Sequence, residues 1–297
     1  MIKRLDDAKP LPVILKPVPD ELLSSWLSRH AAFYGMEQLE FLRHLLPDSH
    51  VRRLHAVDTD LSQSAAEKLG HFFRRDQAEV RRMTHCDLAR EAKWFISPEP
   101  IQSCPSCRSR APDFERQEAI LRNSQRGWRI TCSLCGRALA PLSASDDIDI
   151  GTESADTDVS PSTWDEAVEG ERLLNQFLTD NEKAAAAAVA AFRMLLVPRP
   201  RLPSMAAWQP CKLHAVDALA PGFDALAERK NAGTRWKNHV IAPLRVRATL
   251  LAGFQRLLEK PRPRFHILRS VTLGHYRLRL ETLGEQATPI LGPLWFS

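Results

Sequence analysis

The chain has 297 residues, a formal charge of +5, 44% hydrophobic residues and 26% charged residues. These are ordinary globular values, with length enough for more than one core. The longest apolar run, Ala184 to Val197, is broken by Arg193 and is too short to span a bilayer. Met1-Ile2-Lys3-Arg4 leads into acids and prolines, so no secretory signal is expected and the chain reads as cytoplasmic, with reduced thiols and no membrane partner.

Taken in order, the chain opens with Pro10, Pro12, Pro17 and Pro19, which predict an extended lead-in. Asp20 is placed to cap a helix that buries Leu22, Leu23, Trp26, Leu27, Ala31 and Tyr34, and Gly35 can stop it. A second helix is expected over about Glu37 to Leu46, ended by Pro47. Residues 60–84 predict two short helices about a turn at Gly70, the second running from Arg75 to Met83. Arg74, Arg75, Arg81 and Arg82 lie on its polar side. This is the sequence appearance of a helix-turn-helix, and equally of any helical hairpin with a wet face.

Cys104-Pro105-Ser106-Cys107 and Cys132-Ser133-Leu134-Cys135 follow. A two-residue gap lets one tight turn aim two thiolates at one ion, so the two pairs predict a single structural zinc site. Paired disulfides are the competing reading, disfavoured in a reducing compartment. Between the knuckles, 113–122 reads as a short helix, and Trp128 to Thr131 as a strand feeding a zinc-ribbon hairpin. Arg126 and Arg129 make this module basic and are candidate nucleic-acid contacts.

The stretch Leu11-Pro12-Val13, then Pro19-Asp20-Glu21-Leu22-Leu23-Ser24-Ser25-Trp26-Leu27-Ser28-Arg29, resembles the opening of the TniQ family of transposition proteins. The Cys-Pro-x-Cys knuckle and a second knuckle followed by Leu139 extend the resemblance over about residues 10–142. The family often has histidine where this chain has Cys135; both residues bind zinc well. The resemblance implies a target-selection adaptor that does not cut or join strands. It also implies, as partners, DNA, an AAA+ ATPase regulator (TniB- or TnsC-like) and, in some members, an RNA-guided CRISPR complex. A zinc-ribbon and helix-turn-helix transcriptional regulator is the alternative function.

Between Ala138 and Gly170 there are nine acids and no Lys or Arg, which predicts a flexible acidic linker over 143–170. Helices return over 164–197, with Asp180-Asn181 as a cap. Cys211 and His214 have the spacing of a second zinc pair, which His85-Cys86 could complete; ordinary burial is the better reading. Arg229 to Leu280 holds thirteen Lys or Arg against Glu259 alone, a balance of +12 that suits a polyanion. An amphipathic helix is expected over 244–258, then an extended basic turn Lys260 to Arg264, then a helix or strand pair. Arg245, Arg247, Arg262, Arg264 and Arg269 are the candidate phosphate contacts here.

No phosphate loop, nucleophile elbow or His-Glu-x-x-His motif is present, so no catalysis is expected. The fold class is mainly α: an N-terminal helical domain with a zinc ribbon (1–142), the linker (143–170), and a basic helical domain (171–297).

Overall fold

The computed structural model describes residues 9–47, 53–86, 88–108, 119–142, 160–200, 213–228 and 243–294. It is mostly helical, and its contacts divide it into two units. The first holds residues up to Leu88, Ile96–Arg126 and Thr131–Leu142; the second holds Ala89–Phe95, Gly127–Ile130 and the chain beyond Ser143.

The first unit is built on α1 (Leu23–Phe33). Its apolar stripe packs with α2 (Gln38–Leu45), α3 (Gln63–Phe72) and α4 (Gln77–Arg82) in a core holding Trp26, Leu27, Phe41, Leu69, Phe73 and Val80. A single helical turn further on, α5 (Pro105–Arg108), belongs to the same unit. Gly35, at φ 67, ends the first helix in the left-handed region that only glycine adopts cheaply.

The polar side of α1 does a second job. Prolines keep the lead-in from making a backbone ladder, and side chains of α1 supply the missing partners. Trp26 Nε1 donates to the Leu15 carbonyl at 2.9 Å, and Arg29 to that of Lys16 at 3.0 Å. The Leu15 N–H donates to His30 Nε2 at 2.9 Å. That bond places the ring proton on Nδ1, which donates to the Trp26 carbonyl at 2.8 Å. The Tyr34 hydroxyl accepts from the Val13 N–H and donates to the Val13 carbonyl. Arg29 also pairs with Glu21 at 2.8 Å, both side chains at most 2% exposed.

Asp20 does not cap α1; Leu22 stands at the cap position with no side-chain bond. Asp20 lies at φ 61, a conformation aspartate tolerates, and its carboxylate bonds Arg122 and Ser133 instead. The break between α3 and α4 falls at Phe73–Asp76, with Arg74 at φ 48, and not at Gly70. Gly70 is inside α3, where an added Cβ would sit 2.8 Å from the Arg75 carbonyl oxygen. Its bare Cα lets the turn fold back onto the helix.

In the second unit α6 (Pro161–Asp180) and the short α8 (Phe223–Glu228) pack on α9 (Leu244–Glu259), and α7 (Glu182–Leu195) packs on α11 (Gly274–Leu291). Asn181 caps α7 through Ala184 N–H, as the sequence suggests. Most alanines of α7 are buried and permit close helix contact. At Gly170 the approach of α9 is closest: a Cβ would lie 2.2 Å from the Leu251 carbonyl oxygen.

Several expectations are corrected here. The linker expected over 143–170 is helical from Pro161, because Ser160 caps α6 and proline suits its first turn; 143–159 lies outside the described residues. Of the helix expected over 113–122, residues 113–118 also lie outside them, while Arg122–Ser124 is a 3₁₀ turn. Trp128 to Ile130 is not a ribbon strand. It belongs to the second unit, where Trp128 Nε1 donates to Asn175 and the Ile130 N–H to Glu171. Lys260 to Arg264 is not extended, since α10 spans Pro261–Ser270 with prolines in its first turn, where their missing N–H costs nothing. Of the helix or strand pair expected over the last segment, the helix is what forms: α10 runs to Ser270 and α11 follows from Gly274.

Arg29→Ala should strand the buried Glu21 carboxylate and cost about 3–5 kcal/mol of unfolding free energy, measured by urea titration. Stability should also fall with acid. Burial holds His30 at about 4 and, with Arg126 and Arg122 nearby, His85 at about 3. Both are neutral when folded and charge near 6.5 when unfolded, so their contribution is whole above 6.5 and drains as pH falls toward those values. The urea midpoint should drop across that window, and less steeply in His30→Gln.

Candidate metal centre

Two short hairpin-like turns carry the thiols. β1 (Gln102–Ser103) pairs antiparallel with β2 (Ala140–Pro141) and delivers Cys104. The single turn of α5 then brings Cys107 to the same side. The second turn is closed by the Thr131–Ala138 bridge and by the Cys132 N–H donating to the Arg137 carbonyl at 2.8 Å. Gly136, at φ 71, makes the reversal and donates back to the Cys132 carbonyl.

The four Sγ atoms lie within 4.8 Å of one another, with Cys104–Cys135 at 3.4 Å and Cys107–Cys132 at 3.7 Å. None of the four forms a disulfide. Ligands about 2.3 Å from a tetrahedral zinc are themselves about 3.8 Å apart, so these residues fit a zinc ion held by four thiolates. Among the described residues this is the one group of three or more His, Cys, Asp or Glu side chains close enough to share a metal. As free thiols the four are unequal. Burial and the neighbouring sulfurs push Cys107 up to about 12, burial raises Cys104, and the Arg137 N–H lowers Cys135 to about 7. A divalent cation among them favours the thiolate throughout.

The support around the thiols was not legible in the spacing. Asp20 Oδ2 accepts from Ser133 Oγ at 2.7 Å, tying the second knuckle to the turn before α1. Arg137 donates to Ser106 at 2.8 Å and so joins the two knuckles. Gln102, fully buried, donates to the carbonyls of Asn123 and Arg126. Leu121 and Leu139 close the small apolar cluster about Cys104 and Cys132. The motif residues just before and within α1 reach the same place: Glu21 bridges to Leu121, and the Ile120 N–H donates to Ser25 Oγ.

A family model described as TniQ matches residues 12–137, from the proline lead-in to just past Cys135. Over that span, less than half of the chain, the sequence is similar to the TniQ family. No curated protein and no solved structure matches the chain. The TniQ match associates the protein with DNA transposition, and it ends before the whole helical body of the second unit. No helix among the described residues is long and apolar enough to cross a membrane.

The arginines expected to meet nucleic acid divide into different situations. Arg74 and Arg82 are exposed on the α3–α4 turn and on α4, with Arg75 beside Glu79 at 3.4 Å and Arg81 half-buried. Arg126 is half-buried in the TniQ region. Arg247 is corrected: it is 6% exposed, donates to the carbonyls of Gly127 and Arg129, and is held down at about 10 by burial. Arg129 is also mostly covered, 2.8 Å from Glu171. Arg245 is half-buried. Arg269 pairs with Glu281, and Arg262 donates to the Pro293 carbonyl, while Arg264 stays partly exposed on α10.

The second zinc pair has other uses for its described members. His214 Nδ1 is 2.9 Å from Asp224, and Cys86 Sγ accepts from the Leu61 N–H. Cys211 lies outside the described residues.

Cys104→Ser or Cys135→Ser should lose most of the zinc, since an incomplete tetrahedral set binds poorly. Elemental analysis of purified protein checks this, with about one zinc per chain expected in the wild type. Chelation of the wild type should lower its melting temperature.

Proposed function

We propose that the protein is a non-catalytic, zinc-binding adaptor in DNA transposition that helps to select the target and engages an AAA+ ATPase regulator. The observation that carries this reading is the TniQ match over residues 12–137 enclosing a closed four-cysteine set. Four thiolates leave a zinc ion no position for water or substrate, so the metal would shape a surface and take no part in chemistry. The exposed Arg74 and Arg82 of the TniQ region and the basic segment from Lys260 to Leu280 support DNA as a partner. The ATPase and the target-selecting role come from the family and not from any side chain described above.

Affinity-tagged protein should retain an AAA+ ATPase encoded beside it when the two are co-expressed with ATP. A transposition assay lacking the protein should lose its target preference. No ATPase retained, together with an unchanged target distribution, would overturn the reading. Arg74→Ala with Arg82→Ala should flatten the salt dependence of DNA binding by about one to two units in the log–log slope, measured by fluorescence anisotropy.

A further inference from the structure

The second unit contains a helix pair that the TniQ match does not reach. α10 and α11 are joined by only Val271 to Leu273, with Gly274 at φ 54 turning into the second helix. The pair is firmly seated. Phe265 and Leu268 of α10 and Leu280 and Leu283 of α11 are buried, and a Cβ on Gly284 would come within 2.9 Å of the Phe265 ring. Arg269 and Glu281 clamp the two helices at 2.7 Å.

One face of α11 is left open near this turn. His275, Leu278 and Arg279, spaced three and four residues apart, are all exposed. Leu278 is 65% exposed, and Leu273 in the turn is 54% exposed. Arg279 makes no ion pair among the described residues, whereas Arg277 is drawn back to the Thr272 carbonyl. From Lys260 to Leu280 there are six Lys or Arg and no acid. An apolar side chain between cationic ones on a rigid helix is a mismatch with water and a match with a surface both apolar and anionic.

Such surfaces are a nucleic-acid groove, an acidic membrane and an acidic protein, and a run of six cations without an acid favours a polyanion over a protein. A helix lying in a membrane interface needs a continuous apolar stripe. α11 exposes Leu278 among His275, Arg279, Thr282 and Glu285, which is no stripe. The major groove instead takes one helix face, offers guanine acceptors to arginine and thymine methyls to an apolar side chain, and is flanked by phosphates for the cations of α10.

We propose that the exposed face of α11 formed by His275, Leu278 and Arg279 reads base edges in the major groove of duplex DNA, with Lys260 and Arg264 at the start of α10 on the adjacent backbone. The proposal rests on DNA being a partner of this protein and adds a sequence-reading element outside the TniQ region.

The test uses the full-length chain. Selection from a random-sequence duplex library should enrich a motif with the wild type. Binding of the enriched duplex and of a mixed-sequence duplex is then compared for the wild type and a Leu278→Ala, Arg279→Ala double variant. Circular dichroism and zinc content verify that this surface variant is folded. The variant should lose about tenfold or more on the enriched duplex and less than about threefold on the mixed one. Intact wild-type DNA binding that yields no motif, or that the variant leaves unchanged, would overturn the role of α11 alone. No DNA binding by the wild type would overturn the DNA partner as well. Binding to acidic phospholipid vesicles that the variant loses, with DNA binding unaffected, would assign the face to membrane instead.

Discussion

The ion pair between Glu21 and Arg29 sits at the joint of the TniQ region. Both charges are out of water, so each is tolerable only because the other is present and the spare hydrogen-bonding positions are filled. Glu21 fills them with the Val18 N–H and the Ser25 hydroxyl, Arg29 with the Lys16 carbonyl. The pair therefore fastens the proline lead-in to α1. It also sets the turn from which Asp20 reaches Arg122 and Ser133. Burying a pair of charges is poor economy for stability alone, but it admits few alternative arrangements of the three segments it joins.

Metal and helix are thus parts of one construction. The knuckles contain little apolar material, chiefly Leu121 and Leu139 around Cys104 and Cys132. Zinc would supply much of the local folding free energy, on the order of ~10 kcal/mol of apparent binding in small zinc modules. Asp20 and Arg137 carry that order outward, one to the start of α1 and the other across the two knuckles.

The second unit follows a different logic. Its helices are held by small residues at close crossings, Gly170 against Leu251 and the alanines of α7, with the buried Arg247 bonded to backbone carbonyls. Charge in the sequence therefore overstates charge on the surface. Some of the basic C-terminal segment serves packing, Arg262 and Arg269 of α10 included, while Arg279 on the exposed face of α11 makes no ion pair among the described residues.

What the sequence determined by itself was local or covalent in reach. The two Cys-x-x-Cys turns, the helix of the Leu-Ser-Ser-Trp-Leu motif, the stop at Gly35 and the cap at Asn181 follow from spacing and backbone preference over a few residues. Tertiary structure alone decided which polar side chains meet. Asp20 reads as a cap until Arg122 and Ser133, more than a hundred residues away, compete for its carboxylate. Arg247 reads as a surface cation until two backbone carbonyls claim it, and Trp128 as a ribbon strand until the second unit takes it. Charge and periodicity describe what a residue prefers; its partner is chosen by chain segments that no local pattern contains.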